Sequence, residues 1–245
     1  MVAKMPNLNN KLSITIFFPF LNDWATVGSL ILSAIATLKP LTDDYEVLII
    51  DDGSNEQAKD MLKLTEKQLP NVRIITHEKN RGYGGALKSG FSAASKDYIF
   101  YTDCDAQYDV RELKLLIEKL GPNVDVVQGY KIKRNDPWYR VIIGKTYHFL
   151  VSKAFGLKIR DVDCDFRLIK RTVFDKVKLY ENSGVICIEL MKKIESSGFK
   201  IVEVPVHHFY RTSGKSQFFN IRRLLSVGKN LVKLWWKLII KKQPG

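Results

Sequence analysis

Five apolar runs of strand length alternate with helical patterns in the first half of the chain. The runs are LSITIFF (12–18), YEVLII (45–50), VRIIT (72–76), DYIFYT (97–102) and VDVVQGY (124–130). Apolar residues recur at helical spacing over 23–38, 56–69, 83–95 and 110–120. Strands that are apolar on both faces and alternate with helices predict an α/β fold, in which helices cover both faces of a mostly parallel sheet. Such sheets bind ligands at the carboxyl ends of their strands, so we expect the chemistry there.

The excess positive charge of the chain lies near its C-terminus. The 245 residues include 39 Lys and Arg against 26 Asp and Glu, and nine of the cations but none of the acids fall in 204–245. The rest of the chain is nearly balanced, at 30 against 26. An excess this local favours an anionic membrane surface or a phosphorylated ligand, and it argues against a nucleic-acid partner. Three scattered cysteines and the lack of a long uncharged apolar run predict a cytoplasmic protein.

Polar clusters follow the first three runs. The first cluster, FPFLND, lacks the G-x-G-x-x-G turn that a nicotinamide dinucleotide needs. The second, IIDDGSN, fits a turn with a helix cap as well as it fits a functional site. The third, NRGYGGALKSG, has glycines that allow close backbone approach and would expose helix N–H groups to an anion.

The fourth run ends in an acid pair, in the stretch FYTDCDAQYD (100–109). In extended backbone, residues two apart face the same way, so Asp103 and Asp105 project together while Cys104 points back. Like charges held together in this way require a cation, and Mg²⁺ or Mn²⁺ with diphosphate oxygens and water meets that need. The alternative is a pair of solvated turn acids. Because two further polar clusters end neighbouring runs, we favour the metal site.

Six motifs in order along the chain, over about residues 12–217, resemble those of family 2 glycosyltransferases. They are FPFLND, IIDDGSN, NRGYGGALKSG, DCDAQYD, DVDCDFRL and EVPVHHFYRTSGKS. The resemblance is closest to the dolichyl- and polyprenyl-phosphate mannosyltransferase branch. It implies a GT-A (Rossmann-like) catalytic domain over 1–217 that transfers a hexose with inversion. The implied donor is GDP-mannose or a UDP-sugar, the cofactor Mg²⁺ or Mn²⁺, and the acceptor a polyprenyl or dolichyl phosphate.

The resemblance also implies roles on the donor side. Pro19 and Asp23 would contact the nucleoside, and Asp51 and Asp52 would bind its base and ribose. The implied metal ligands are Asp103, Asp105 and Gln107. Arg211 would clamp the diphosphate. The implied donor set is completed by Gly82, Lys88, Cys104 and Ser216.

On the acceptor side, the resemblance places Lys131 and Arg140 at the acceptor phosphate, with Asp161 and Arg167 beside them. Arg140 would thus join Asp103, Asp105 and Arg211 as a catalytic residue. A phosphate oxygen is already anionic near neutral pH, since its second pKa is about 6, so such an acceptor needs cations and no strong base. Solvated surface cations are the alternative for Lys131 and Arg140.

Three further features of the sequence have less specific interpretations. Glu189 fits an active-site acid or a helix-face ion pair equally well. His207 and His208 face opposite sides of a strand, so they do not share one metal ion. Cys164 and Cys187 are expected to be buried apolar residues.

The C-terminal segment 218–245 combines an apolar helical stripe with a row of lysines at every fourth position, from Lys229 to Lys241. This composition predicts a helix lying in a membrane interface, and 137–157 is a second amphipathic candidate. The protein would then be peripheral on the cytoplasmic face of a membrane, where a membrane-protein partner could join it. An amphipathic helix that covers the core is the alternative. Two further functions stay open: transfer to a soluble or cell-envelope sugar acceptor, and non-catalytic binding of a nucleotide sugar.

Overall fold

The computed structural model describes residues 12–134, 138–211 and 221–241. The strands are β1 (Ile14–Phe20), β2 (Tyr45–Asp51), β3 (Val72–Thr76), β4 (Tyr98–Thr102), β5 (Val126–Arg134), β6 (Phe166–Lys170) and β7 (Ile201–His208). The helices are α1 (Trp24–Leu38), α2 (Glu56–Gln68), α3 (Tyr83–Ala93), α4 (Leu113–Ile117), α5 (Trp138–Phe155), α6 (Val173–Lys176), α7 (Ile186–Ser196) and α8 (Ile221–Trp235). A 3₁₀ turn precedes α4, and a π-helical turn, Trp236–Ile240, continues α8.

The strands form one sheet in the order β3-β2-β1-β4-β6-β5-β7. Only β6 runs against its neighbours, β4 and β5, and the other four strand pairs are parallel. The predicted α/β fold with a mostly parallel sheet is therefore confirmed. Because β6 is reversed, the segment before it lies at the edge where β1, β2, β4, β5 and β7 end.

Two apolar clusters fill the two faces of the sheet. Ile14, Ile16 and Phe18 of β1 point to one face, which α1, α2 and α4 cover. Phe17 points to the other face, which α3, α5, α7 and α8 cover. Burial on both faces explains why β1 is apolar throughout and why β2 and β4 are largely so.

The C-terminal helix α8 packs onto this second face. Leu234 is completely buried there. Trp235 Nε1 donates a hydrogen bond to the Ala154 carbonyl of α5 at 2.9 Å. The inner side of α8 therefore belongs to the core, as the alternative interpretation of 218–245 expects. The interfacial role predicted for this segment now concerns only its outer side. Within the described ranges, none of the helices is both long and apolar enough to cross a bilayer.

Candidate active site

The loops after β1 and β2 hold each other at the carboxyl edge of the sheet. The backbone N–H of Asn22 donates to Ser54 Oγ at 3.0 Å, and the Asn55 N–H donates to Asn22 Oδ1 at 2.9 Å. The Asp52 N–H also donates to the Phe20 carbonyl at 2.9 Å. These three hydrogen bonds bring the FPFLND and IIDDGSN motifs into one surface. Pro19 lies in β1 beside Ile50 of β2.

Asp51 and Asp52 are both buried at the end of β2. Asp51 Oδ1 accepts the Ser54 N–H at 2.9 Å, whereas buried Asp51 Oδ2 has no hydrogen-bond partner among the described residues. Asp52 Oδ1 accepts from His77 Nδ1 at 2.7 Å and from the Arg81 N–H at 2.8 Å. An orphaned buried carboxylate oxygen is costly, and a bound donor group would satisfy it.

Asp103 and Asp105 face one cavity of about 200 Å³. Tyr83 Oη donates to Asp103 Oδ1 at 2.7 Å. Asp105 Oδ1 accepts the Gln107 N–H at 3.0 Å, and Asp105 Oδ2 accepts from Arg211 Nη2 at 2.7 Å. The cavity is lined by Asp103, Asp105, Gln107, Tyr108, Lys131, Asp163 and His208. The structure thus brings together the predicted metal acids and the predicted diphosphate clamp.

The electrostatics of this acid pair favour a bound cation. Burial raises the pKa of Asp103 well above its ordinary value, and the nearby charges of Asp165 and Asp105 raise it further. Burial also raises the pKa of Asp105, although Arg211 opposes this effect. Burial likewise raises the pKa of Asp23, again against Arg211. A cation between the two carboxylates would offset this excess of negative charge.

The two carboxylates suit Mg²⁺ or Mn²⁺ as metal ligands, because both ions prefer carboxylate and phosphate oxygens. Among the described residues, no group of three or more His, Cys, Asp or Glu is placed to hold a metal ion. A cation at Asp103 and Asp105 would therefore take its other ligands from a substrate and from water.

Two predicted donor residues contact the protein itself. The Cys104 side chain is buried in the cluster beneath α1, as the alternation predicted, and the donor contact of this residue stays a prediction. Gln107 Nε2 donates to the Phe209 carbonyl at 3.1 Å, and the Phe209 N–H donates to the Gln107 carbonyl at 2.8 Å. Gln107 thereby ties the segment that carries Arg211 to the turn that carries Asp105. Its metal contact stays a prediction.

The glycine-rich turn contacts another loop of the chain. A Cβ atom on Gly82 would lie 2.6 Å from the Asn182 carbonyl oxygen, and Gly82 itself has φ +80°. The Gly84 N–H donates to the same oxygen at 2.9 Å. Lys88 Nζ donates to the Tyr180 carbonyl at 3.1 Å. The glycines therefore admit the loop between α6 and α7, and the Gly84 N–H that was expected to face an anion is bonded to that loop. The donor contacts of Gly82 and Lys88 stay predictions.

The predicted acceptor residues are only partly available to a substrate. Lys131 Nζ lies 3.2 Å from Asp161 Oδ2 in a buried ion pair, and it also donates to the Asp163 carbonyl at 2.9 Å. Arg167 is completely buried, and its Nε donates to Gln128 Oε1 at 2.5 Å. The prediction that Arg167 contacts an acceptor directly is therefore wrong. Arg140 belongs to α5, but the structure does not describe its side chain. Ser216 lies outside the described residues, so the roles of both stay predictions.

Glu189 and the histidine pair have structural roles. Glu189 is buried, pairs with Lys193 at 3.0 Å, and accepts the backbone N–H groups of Tyr180 and Glu181. This favours the ion-pair interpretation of Glu189. His207 is exposed and contacts Glu112, whereas His208 is buried beside the cavity, as strand alternation predicts.

Sequence reasoning missed four residues of the site, namely His77, Tyr83, Asp163 and Asp165. Tyr83 lies in the third cluster, and Asp163 and Asp165 lie in the DVDCDFRL motif, whereas His77 lies outside the six motifs. The contacts of all four depend on which strands are neighbours, so the local sequence did not reveal them.

A model of glycosyl transferase family 2 matches residues 15–178, and the chain belongs to this family. Solved structures with a similar fold include the glucosyl-3-phosphoglycerate synthase of Mycobacterium tuberculosis. Its complex with phosphoglyceric acid has a TM-score of 0.69 at 17% identity, over 92% of this chain and 79% of that one. Its complex with Mn²⁺, uridine diphosphate and phosphoglyceric acid has a TM-score of 0.68 at 17% identity, over 92% and 78%. Its complex with Mg²⁺ and uridine diphosphate has a TM-score of 0.68 at 16% identity, over 92% and 79%. The predicted family is thus confirmed, and the mannosyltransferase branch stays a prediction.

Proposed function

We propose that this glycosyltransferase takes a hexose from a nucleoside diphosphate sugar, with Mg²⁺ or Mn²⁺ held by Asp103 and Asp105. The observation that carries the proposal is that Asp103 and Asp105 face one cavity and that Arg211 donates a hydrogen bond to Asp105. The solved relative binds uridine diphosphate together with Mn²⁺ or Mg²⁺, which supports the same donor chemistry here.

The mechanism follows from the charges at this cavity. An acceptor oxygen attacks the anomeric carbon, a new C–O bond forms, and the bond from that carbon to the diphosphate oxygen breaks. Its electron pair leaves with the nucleoside diphosphate. A divalent cation supplies positive charge to that leaving group. Arg211 supplies a second positive charge by exchanging Asp105 for a phosphate oxygen, while Asp51 and Asp52 hold the nucleoside.

A polyprenyl phosphate is one candidate acceptor, and the outer surfaces of α5 and α8 support it. Phe149 and Leu150 of α5 are 60% and 59% exposed, and Val232 and Trp236 at the C-terminal helix are 68% and 51% exposed. The apolar residues of the outer α8 face are Val232, Trp236 and Ile240, and its exposed lysines are Lys229, Lys233, Lys237 and Lys241. Exposed apolar and basic side chains together are typical of a surface that binds anionic lipid. The protein would then lie on the cytoplasmic side of a membrane.

A soluble acceptor is the second candidate, and the comparisons favour it. The solved relatives were crystallised with phosphoglyceric acid or with glucosyl-3-phosphoglycerate. In this chain, the burial of Arg167 removes one cation from the predicted lipid-phosphate site, and Lys131 lines the cavity only as part of an ion pair with Asp161. A hydroxyl acceptor needs a general base, and Asp163 lies in the same cavity as Asp103 and Asp105.

A donor and acceptor panel tests both parts of the proposal. GDP-mannose, UDP-glucose and UDP-GlcNAc are each assayed with polyprenyl phosphate and with phosphoglycerate, in the presence of Mn²⁺, Mg²⁺ or EDTA. We expect transfer from at least one donor that stops in EDTA. Asp163→Asn should abolish transfer to a hydroxyl acceptor and should spare transfer to a lipid phosphate. Metal-independent transfer, or donor binding without turnover on any acceptor, would contradict the proposal.

A further inference from the structure

Three polar side chains form a connected row behind the loop that follows β2. Ser89 Oγ lies 2.8 Å from His77 Nε2, and His77 Nδ1 lies 2.7 Å from Asp52 Oδ1. His77 and Asp52 are 3% and 4% exposed. Ser89 lines an open groove beside α3. The row therefore runs from a surface groove on α3 to a buried acid of the candidate donor site.

Three different elements hold this row in place. The His77 N–H donates to the Asp51 carbonyl at 2.8 Å, which extends the pairing of β3 with β2. Ser89 lies in the middle of α3, and Asp52 directly follows β2. His77 and Asp52 cannot turn alone without losing their buried hydrogen bond, and Ser89 would lose a partly buried one, so the row is rigid.

The protonation of His77 follows from its two neighbours. Nδ1 faces a carboxylate, so this nitrogen carries a hydrogen and donates it. Nε2 faces a hydroxyl, which donates to a neutral ring and accepts from a charged one. Ser89 thus satisfies His77 in either charge state, and the donor toward Asp52 is kept in both.

The contacts of Asp52 lie on one of its two oxygens. His77 Nδ1 and the Arg81 N–H both donate to Oδ1, and no hydrogen bond to Oδ2 is found among the described residues. Because two donors hold Oδ1, the orientation of the Asp52 carboxylate is fixed before any ligand binds. A ligand then avoids the entropic cost of ordering that group.

We propose that His77 is the positioning residue for nucleoside recognition, in that it orients Asp52 toward the donor, and that Ser89 fixes the ring of His77. The inference rests on the proposed function, because it takes Asp52 as a nucleoside contact. The same order of groups acts as a nucleophilic triad in hydrolases. Here Ser89 is inside a helix whose backbone N–H groups are used by the helix, so an oxyanion would lack backbone donors.

Two substitutions separate the two ends of the His77 ring. His77→Asn keeps a donor near the position of Nδ1, whereas His77→Gln places its polar atoms near Nε2 and loses the donor to Asp52. We expect His77→Gln to weaken the binding of UDP and GDP, measured by calorimetry with Mn²⁺, by about tenfold, which corresponds to one buried charged hydrogen bond. His77→Asn should stay within about threefold of the wild type. In turnover assays, His77→Gln should raise the donor KM and leave kcat nearly unchanged.

Ser89→Ala should weaken the same binding by about threefold. Ser92→Ala, in the same groove, and His207→Gln, at the exposed histidine, are matched controls and should leave it unchanged. Equal affinities of the His77→Asn and His77→Gln proteins would overturn the inference, as would a loss of kcat without a change in KM. Failure of the wild type to bind either nucleotide would instead contradict the proposed function, so the two failures are distinguishable.

Discussion

Arg211 Nη2 donates to Asp105 Oδ2 at 2.7 Å, although 106 positions separate the two residues in the chain. The contact joins the end of β7 to the end of β4, and Arg211 is the nearest described cation to the acid pair. It couples two events that the proposed reaction needs. If a cation and a diphosphate bind as proposed, Asp105 would pair with the cation and Arg211 with a phosphate oxygen, so neither charge would be left unpaired.

The first prediction tests this exchange. Arg211→Gln should lower kcat/KM for the donor by about ten- to hundredfold, because a charged hydrogen bond to the leaving group is lost. The KM of the acceptor should hardly change. Arg111→Gln is the matched control, since Arg111 forms an exposed pair with Asp109. Equal activities of the two variants would show that Arg211 does not act on the diphosphate.

A second prediction concerns the pH dependence of stability. Glu46 of β2 is partly buried, and burial raises its pKa. Its carboxylate accepts hydrogen bonds from the Ser95 N–H, Thr15 Oγ1 and Ser95 Oγ, and Arg73 adds a positive charge nearby. Together these contacts outweigh burial and lower the pKa of Glu46 below its ordinary value of 4.5. A carboxyl whose pKa is lower in the folded state stabilises the fold above pH 4.5 and loses this effect as the pH falls through the folded value.

Glu46→Gln should therefore reduce the free energy of unfolding by about 1–3 kcal/mol at pH 7, measured by urea titration. The difference from the wild type should shrink below about pH 4. The exposed Glu118→Gln is the control and should change stability by less than about 0.5 kcal/mol. A Glu46→Gln deficit that is the same at pH 3 and pH 7 would mean that charge does not contribute.

The third prediction concerns the outer face of α8. Because Leu234 is part of the core, deleting the helix would expose apolar surface and confuse folding with binding. Replacing Val232, Trp236 and Ile240 by Ser leaves the inner side intact. This variant should bind anionic vesicles at least about tenfold more weakly and should keep the wild-type melting temperature.

The matched control for the outer face is Leu32→Ser with Leu64→Ser, because these leucines of α1 and α2 are 59% and 60% exposed. High salt should also weaken wild-type binding, since the Debye length falls from about 10 Å at 0.1 M to about 3 Å at 1 M. Vesicle binding that survives the triple substitution would remove the interfacial role of α8 and would leave the soluble acceptor as the better candidate.

Sequence patterns predicted β1, β2 and β4 closely because these strands are buried on both faces and therefore largely apolar. The edge strand β3 is only partly buried, but its apolar residues were still enough to mark it. β6 was missed, since Arg167 is the second of its five residues and looks like a surface residue. In the structure, Arg167 is buried among Gln128, Tyr101 and Asp165, a set of partners that only the tertiary fold assembles.

The candidate site shows the same division between local and long-range information. Asp103 and Asp105 face one cavity, as the acid pair predicted, although the backbone after Thr102 is a turn and not the extended strand on which that prediction was based. The pairing of Arg211 with Asp105 and of Lys131 with Asp161 depends on strand order and on loop packing, so spacing along the chain could not reveal either. For the same reason, the glycines of the third cluster looked like an anion site although they receive the loop around Asn182.

The central claim is that Asp103 and Asp105 hold a divalent cation on a nucleoside diphosphate. Calorimetric titration of UDP and GDP, with Mn²⁺ and with EDTA, into the wild type and into Asp105→Asn tests it most directly. The account predicts that Mn²⁺ tightens binding of at least one nucleotide by about tenfold or more in the wild type and has almost no effect in Asp105→Asn. Nucleotide binding that is equally tight with and without Mn²⁺, or an unchanged effect of Mn²⁺ in Asp105→Asn, would contradict it.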